Sequence, residues 1–121
     1  MKMSYFVFGT NDMNAAMAFY DALFEPNGPK RFAQTERMAY YQGEDFTFAL
    51  ALPYDEHPAC HGNGTMLGLD AGSIEEVRRL HAQAIALGGT DEGEPCQKGP
   101  FFSGYVRDLD RNKICFFVSK A

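Results

Sequence analysis

The chain has 121 residues and a formal net charge of -5, from 16 acidic and 11 basic side chains. That length fits one domain with a real core, for which 11 Phe and 6 Tyr supply the bulk without any Trp, so a disordered polymer is excluded. The basic residues are scattered and outnumbered, which excludes nucleic acid as the default partner, because neutralising phosphates needs clustered Lys and Arg.

In chain order, Met1 to Ser4 lead directly into an aromatic strand with no apolar leader or small-residue cleavage site, and no apolar run approaches a membrane span. Residues 5–8 read as a buried strand. Asn11 and Asp12 follow as turn and N-cap candidates. From Met13 the apolar period becomes helical, with Met13, Ala16, Met17, Tyr20 and Leu23 spaced by three and four, until Pro26, Gly28 and Pro29 stop it. Strands are expected at 30–32, 38–42 and 46–52, the last two joined by a Gly43-Glu44-Asp45 turn. Residues 53–64 break all regular structure.

The second half repeats the plan. A strand is expected at 65–69, and Ser73 with Glu76 forms a capping box. Ile74, Val77, Leu80, Ala84 and Leu87 make a helical stripe that Gly88 and Gly89 close. Strands at 102–107 and 113–119 flank a turn at 108–112, where Asp108, Asp110 and Asn112 can bond back to their own backbone. Tyr5 lies seven residues before Asp12, as Met66 lies seven before Ser73, and counting through the hairpins sets Phe48 against Cys115. The expected fold class is therefore α+β: two βαβββ modules forming a curved mixed sheet around a central cleft, in a single domain spanning 1–121. Module one covers about 3–53, a linker about 54–64 and module two about 65–120.

The stretches GTNDMNAAMAFYDALF (residues 9–24) and GYVRDLDRNKICFF (residues 104–117) resemble the vicinal oxygen chelate superfamily, which takes in glyoxalase I, bleomycin-resistance proteins, fosfomycin-resistance enzymes and extradiol dioxygenases. The helix start D-x-x-x-A-x-x-FY and a hairpin similar to D-P-D-G-N-x-x-E carry the likeness over the whole chain. GTND, PYD, GNG and RDxDxNK further resemble a glyoxalase-like subgroup of mostly uncharacterised function. In metal-dependent members a divalent ion held by His, Gln and Glu from the first and last strands of each module chelates two adjacent substrate oxygens. By that resemblance the ligand positions fall on Tyr5, Met66, Cys115 and Phe48, or on Ala49 or Leu50 if the register slips. No metal is expected of such a set, since it lacks the imidazoles and carboxylates a hard cation needs; a divalent metal is implied by family likeness alone. Arg111 stands where the family often has Gly.

The cleft implied by the resemblance is lined by Tyr5, Phe48, Met66, Tyr105, Arg107, Cys115 and Phe117. Arg107 shares a strand face with Tyr105 and offers a guanidinium to a carboxylate or phosphate; the plainer expectation is an ion pair within its own turn. Cys115, between Ile114 and Phe116, reads as a small buried hydrophobe. His57, Cys60 and His61 mimic metal spacing in a linker without a second ligand pair, while His61 could act as an acid–base group at the cleft mouth. His81 reads as a helix-face residue. Three widely spaced cysteines without a CxxC pair fit a reducing cytoplasm. Two functions are expected of such a chain: a metal-free binding protein for a small aromatic or amphipathic ligand, with the overall charge favouring a cationic one, or a lactoylglutathione-lyase-like lyase or isomerase using Tyr5, His61 or Arg107. A purely structural interaction module is a third. No nucleic-acid or membrane partner is expected, and family likeness implies a homodimer.

Overall fold

A computed structural model describes residues 1–119. The backbone separates into two compact units, Met1–His61 and a second that begins at Gly62. That boundary falls inside residues 53–64, where neither helix nor strand forms. Among the described residues no helix is long and apolar enough to cross a membrane.

Unit one runs β1 (Tyr5–Gly9), α1 (Met13–Leu23), β2 (Lys30–Gln34), β3 (Met38–Gln42) and β4 (Thr47–Ala51); unit two runs β5 (Leu67–Asp70), α2 (Ile74–Ala86), β6 (Thr90–Lys98), β7 (Phe101–Arg107) and β8 (Lys113–Ser119). Each forms a four-stranded mixed sheet, ordered β1-β4-β3-β2 in one and β5-β8-β7-β6 in the other. The first strand is parallel to the last and the remaining pairs are antiparallel. Both units are thus βαβββ modules of one topology, with the helix serving as the crossover that a parallel pair requires.

The helices start where the caps are. Asp12 accepts from the Ala15 backbone N–H and Ser73 from that of Glu76, each satisfying a donor of the first turn. α2 ends in paired bonds, Gly89 N–H to the Ala84 carbonyl and Gly88 N–H to that of Ile85, with Gly88 at φ 103. This backbone conformation favours a residue without Cβ. After β4, Asn11 clasps the connecting segment from both sides, accepting from Ala59 N–H at 2.7 Å and donating to its carbonyl at 3.2 Å.

Strand alternation gives each sheet a helix-facing side and a helix-distal side. Under α1, Phe48 is fully buried, with its ring 4.8 Å from Tyr20, 5.6 Å from Phe24 and 5.8 Å from Tyr41. The expectation that Phe48 lines a cleft is corrected here. Phe6 pairs with it on β1 and Tyr41 on β3, so all three point to the helix, and Ala49 is the residue that faces away. Replacing Phe48 with Ala should cost about 3–5 kcal/mol of stability, read from denaturant unfolding. A cost under about 1 kcal/mol would place the ring outside the core.

Tyr41 carries its buried phenol to the rim of that core, where it donates to Asp21 Oδ1 at 2.7 Å. Arg31 binds the same carboxylate through both oxygens at 2.9 and 3.1 Å. Burial pushes the Asp21 carboxyl up, but the hydrogen bonds from Arg31 and Tyr41 and the Arg31 charge outweigh it, leaving it below the ordinary 3.8. A group depressed in the folded state adds stability above its unfolded pKa and loses it as pH falls through the folded value. Asp21→Asn should therefore flatten the loss of stability below pH 4, measured by thermal unfolding from pH 7 to pH 2. An unchanged acid limb would show that other carboxylates set it.

Beyond one-residue shifts at strand ends, the elements differ from expectation at three places. β5 begins at Leu67 rather than 65, and β2 extends to Gln34 across a break in register between Arg31 and Ala33. The third antiparallel strand of module two, β6, has the sequence TDEGEPCQK, with no apolar alternation to reveal it. It is an edge strand, where Pro95 is tolerated because a missing N–H need not meet a neighbour.

Candidate functional site

On module two, the helix-distal face of β7 and β8 gathers three of the residues singled out from sequence. Tyr105 is paired directly with Cys115, and Phe117 pairs with Ser103 one step along the same face. Cys115 and Ser103 are buried, at 6% and 4% exposure. The hydroxyls of Tyr105 and Ser103 pull the thiol's pKa down. Lys98 from β6 and Lys113 from β8 lay their ammonium groups 4.4 and 5.3 Å from the centre of the Tyr105 ring. Phe101 meets Phe117 edge to face at 5.8 Å. Gly93, opposite Tyr105, leaves room for that ring: a Cβ there would come within 2.9 Å of it.

Burial pushes the Cys115 thiol up, and the hydroxyls and lysine charges that pull it down do not compensate, so it stands above the ordinary 9.0. It is a protonated, packed thiol at neutral pH and not an activated nucleophile. Cys60 and Cys96 are exposed and all three cysteines are free. A thiol-titrating disulfide reagent at pH 7.5 should therefore count two fast cysteines in the native protein and the third only after denaturation. Three fast cysteines would show Cys115 to be accessible and reactive.

The other expected residues are elsewhere. Tyr5, 63% exposed, lies on the helix-distal face of module one with Val7 and Ala49. Met66, 44% exposed, sits immediately before β5. Arg107 is held locally, through Glu92 at 3.1 Å and the Arg111 carbonyl at 2.9 Å, while its Nε is buried without a partner among the described residues. Arg111 itself takes the left-handed conformation that the family's Gly would supply, at φ 68, and Asp108 secures the turn by accepting from the Asp110 and Asn112 N–H groups. His61 lies in the connecting segment, outside both sheets.

Among the described residues one group could hold a metal by proximity: His81, Asp91 and Glu94 bring their ligand atoms within 4.8 Å of one another. The buried His81 ring is 3.0 Å from Asp91, whose carboxyl is held down first by the Gly93 N–H and then by that imidazole. This group ties α2 to β6. It lies on the helix side of the sheet, opposite the face that carries Cys115. His57, Cys60 and His61 form no such group. A cavity of about 590 Å³ lies at the end of α1 against β2, walled by Phe24, Pro26, Phe32 and Tyr41. None of the expected site residues lines it, and of its charged residues Asp21 and Arg31 satisfy each other.

Lys98 and Ser103 were missed from sequence. Ser103 was legible, two residues before Tyr105 on one strand face, whereas Lys98 lies on the unread strand β6.

No protein-family model matches the chain, and no curated protein does. Solved structures do. A glyoxalase/bleomycin resistance protein from Albidiferax ferrireducens T118 is 36% identical, with a TM-score of 0.90 over 96% of this chain and 97% of that one. A glyoxalase-related enzyme from Fulvimarina pelagi shares 20% identity and a TM-score of 0.82, over 98% and 88%. A lactoylglutathione lyase from Agrobacterium tumefaciens shares 17% identity and a TM-score of 0.74, over 97% and 92%. The last two show the fold alone. Two βαβββ modules of one topology define a vicinal oxygen chelate architecture. With the first of these relatives, the chain belongs to the glyoxalase/bleomycin resistance protein family.

The family's chelating positions can now be tested against the register. Val7 and Gly68 match, each five residues before its helix cap, and their partners on the parallel strands are Ala49 and Cys115. The set is therefore Tyr5, Ala49, Met66 and Cys115: a phenol, a methyl group, a thioether and a protonated thiol. It does not fit a hard divalent cation, which takes imidazole and carboxylate donors.

Proposed function

We propose that this protein binds a small aromatic or amphipathic organic ligand on the helix-distal face of its second module's sheet, without a chelated metal. One observation carries the reading: each of the four chelating positions holds a residue without imidazole or carboxylate, while the face around Cys115 offers aromatic rings and a few polar groups. That is the usual make-up of an organic-ligand site. Free cysteines support a cytoplasmic setting, and family likeness supports a homodimer. The lyase alternative is favoured by the likeness to the lactoylglutathione lyase; of its working groups, Arg107 is already engaged by Glu92 and the Arg111 carbonyl.

The test is metal content after incubation with nickel, zinc, manganese or ferrous iron and desalting, alongside thermal unfolding with and without a panel of aromatic compounds. We expect less than stoichiometric metal, no shift with chelator, and a rise in Tm with aromatic ligands, since anything bound only to the native state stabilises it. Stoichiometric metal that survives His81→Ala and is lost in a Cys115→Ala, Met66→Ala double variant would overturn the proposal. Metal lost in His81→Ala alone would belong to the helix-side group and leave the proposal standing.

A further inference from the structure

The pairing of β6 with β7 arranges side chains around His81 in a way a regular strand could not. Asp91 stands opposite Val106 and Gly93 opposite Tyr105, but the next pair is Cys96 with Ser103. Glu94 and Pro95 therefore share the place opposite a single residue, Gly104. Val106 and Gly104 are two apart on β7 and so lie on one face of it. That face is the one under α2, because a Cβ on Gly104 would come within 3.3 Å of the His81 ring and 3.0 Å of Pro95. Residues three apart on a regular strand point to opposite faces. The two breaks in register undo that alternation and bring the Asp91 and Glu94 carboxylates to the same side. There the ligand atoms of His81, Asp91 and Glu94 lie within 4.8 Å of one another.

The three groups suit one cation. His81 is fixed by α2 at 5% exposure, with its ring in the room that Gly104 leaves, and its Nε2 lies 3.0 Å from Asp91 Oδ1. The carboxylates come from an exposed edge strand, and among the described residues neither has a lysine or arginine partner. A His–Asp pair would by itself tie helix to strand, but it leaves Glu94 without an ion-pair partner. Zinc takes imidazole nitrogen and carboxylate oxygen at about 2.0–2.2 Å, which sets tetrahedral ligand atoms about 3.4 Å apart, so the exposed carboxylates need close by at most about 1.4 Å. Calcium and magnesium favour all-oxygen shells, so the imidazole selects a zinc-like ion.

We propose that His81, Asp91 and Glu94 form a zinc site, with the fourth position left to water, that clips the edge strand β6 to α2. It is separate from the family's chelating positions and from the face around Cys115, and it stands independently of the binding function proposed above. Three donors, two of them exposed, make a site that exchanges its ion, so it loads at equilibrium and empties on desalting.

The test is calorimetric titration of zinc, with magnesium as the control, into the metal-free full chain, into Asp91→Asn and Glu94→Gln, and into a Cys60→Ser, Cys96→Ser double variant. We expect one equivalent of zinc, none of magnesium, and a rise in Tm with zinc, since the site exists only in the folded chain. Asp91 and Glu94 are exposed, so their replacement leaves the core intact, and each should weaken zinc binding about tenfold or more. The cysteine variant should bind as the parent does, and cobalt in place of zinc should show tetrahedral d–d bands without thiolate charge-transfer absorption. No zinc binding, an affinity unchanged in Glu94→Gln, loss of binding in the cysteine variant, a thiolate band, or magnesium binding as well as zinc would each overturn the proposal.

Discussion

Everything about this molecule's chemistry depends on the parallel pairing of the first and last strands in each module. A parallel pair cannot be joined by a tight turn, so each module must carry a helix across one side of its sheet. That helix claims alternate residues of the inner strands for the core. The residues between them are released for other uses. Phe6, Phe48 and Tyr41 are committed to α1, and Tyr5, Val7 and Ala49 are not. In module two, Ile114 and Phe116 are fully buried, while Cys115 and Phe117 share the other face with Tyr105 and Ser103. Shifting a strand by one residue would exchange the two sets completely.

That same constraint marks where the sequence was legible and where it was not. The caps Asp12 and Ser73, the helical stripes, the hairpin around residues 43–45 and the repeat were readable because each is a local signal with a local cause. Phe48 was set against Cys115 by counting through hairpin turns, a count that is blind to a single-residue offset; hydrogen-bond register moved the match to Ala49. β6 escaped because an edge strand with Glu, Gly and Pro carries no alternation, and Lys98 went with it. Arg107 was read correctly as a member of the Tyr105 face, but its ion pair is with Glu92 of β6 and not with an aspartate of its own turn.

Whole-chain charge does not describe the face around Tyr105, where Lys98 and Lys113 lie. Most of the acidic excess is spread over exposed positions, whereas the two lysines there are fixed by the strands that carry them. The His81–Asp91–Glu94 group makes the complementary point: residues with the right chemistry for a metal stand on the helix side, where the two topologically matched modules place no chelating position.

The irregularity of β6 has a consequence for the molecule in solution. Its pairing with β7 slips twice, between Asp91 and Gly93 and again before Cys96, and Pro95 supplies no N–H. β2, at the corresponding edge of module one, is interrupted after Arg31 and begins with two cations, Lys30 and Arg31. A strand from another molecule that tried to extend a sheet at the β2 or β6 edge would meet a broken ladder, a missing donor or a fixed charge within a few residues. The strand that most defied recognition is thus also the one that discourages its sheet from growing past that edge.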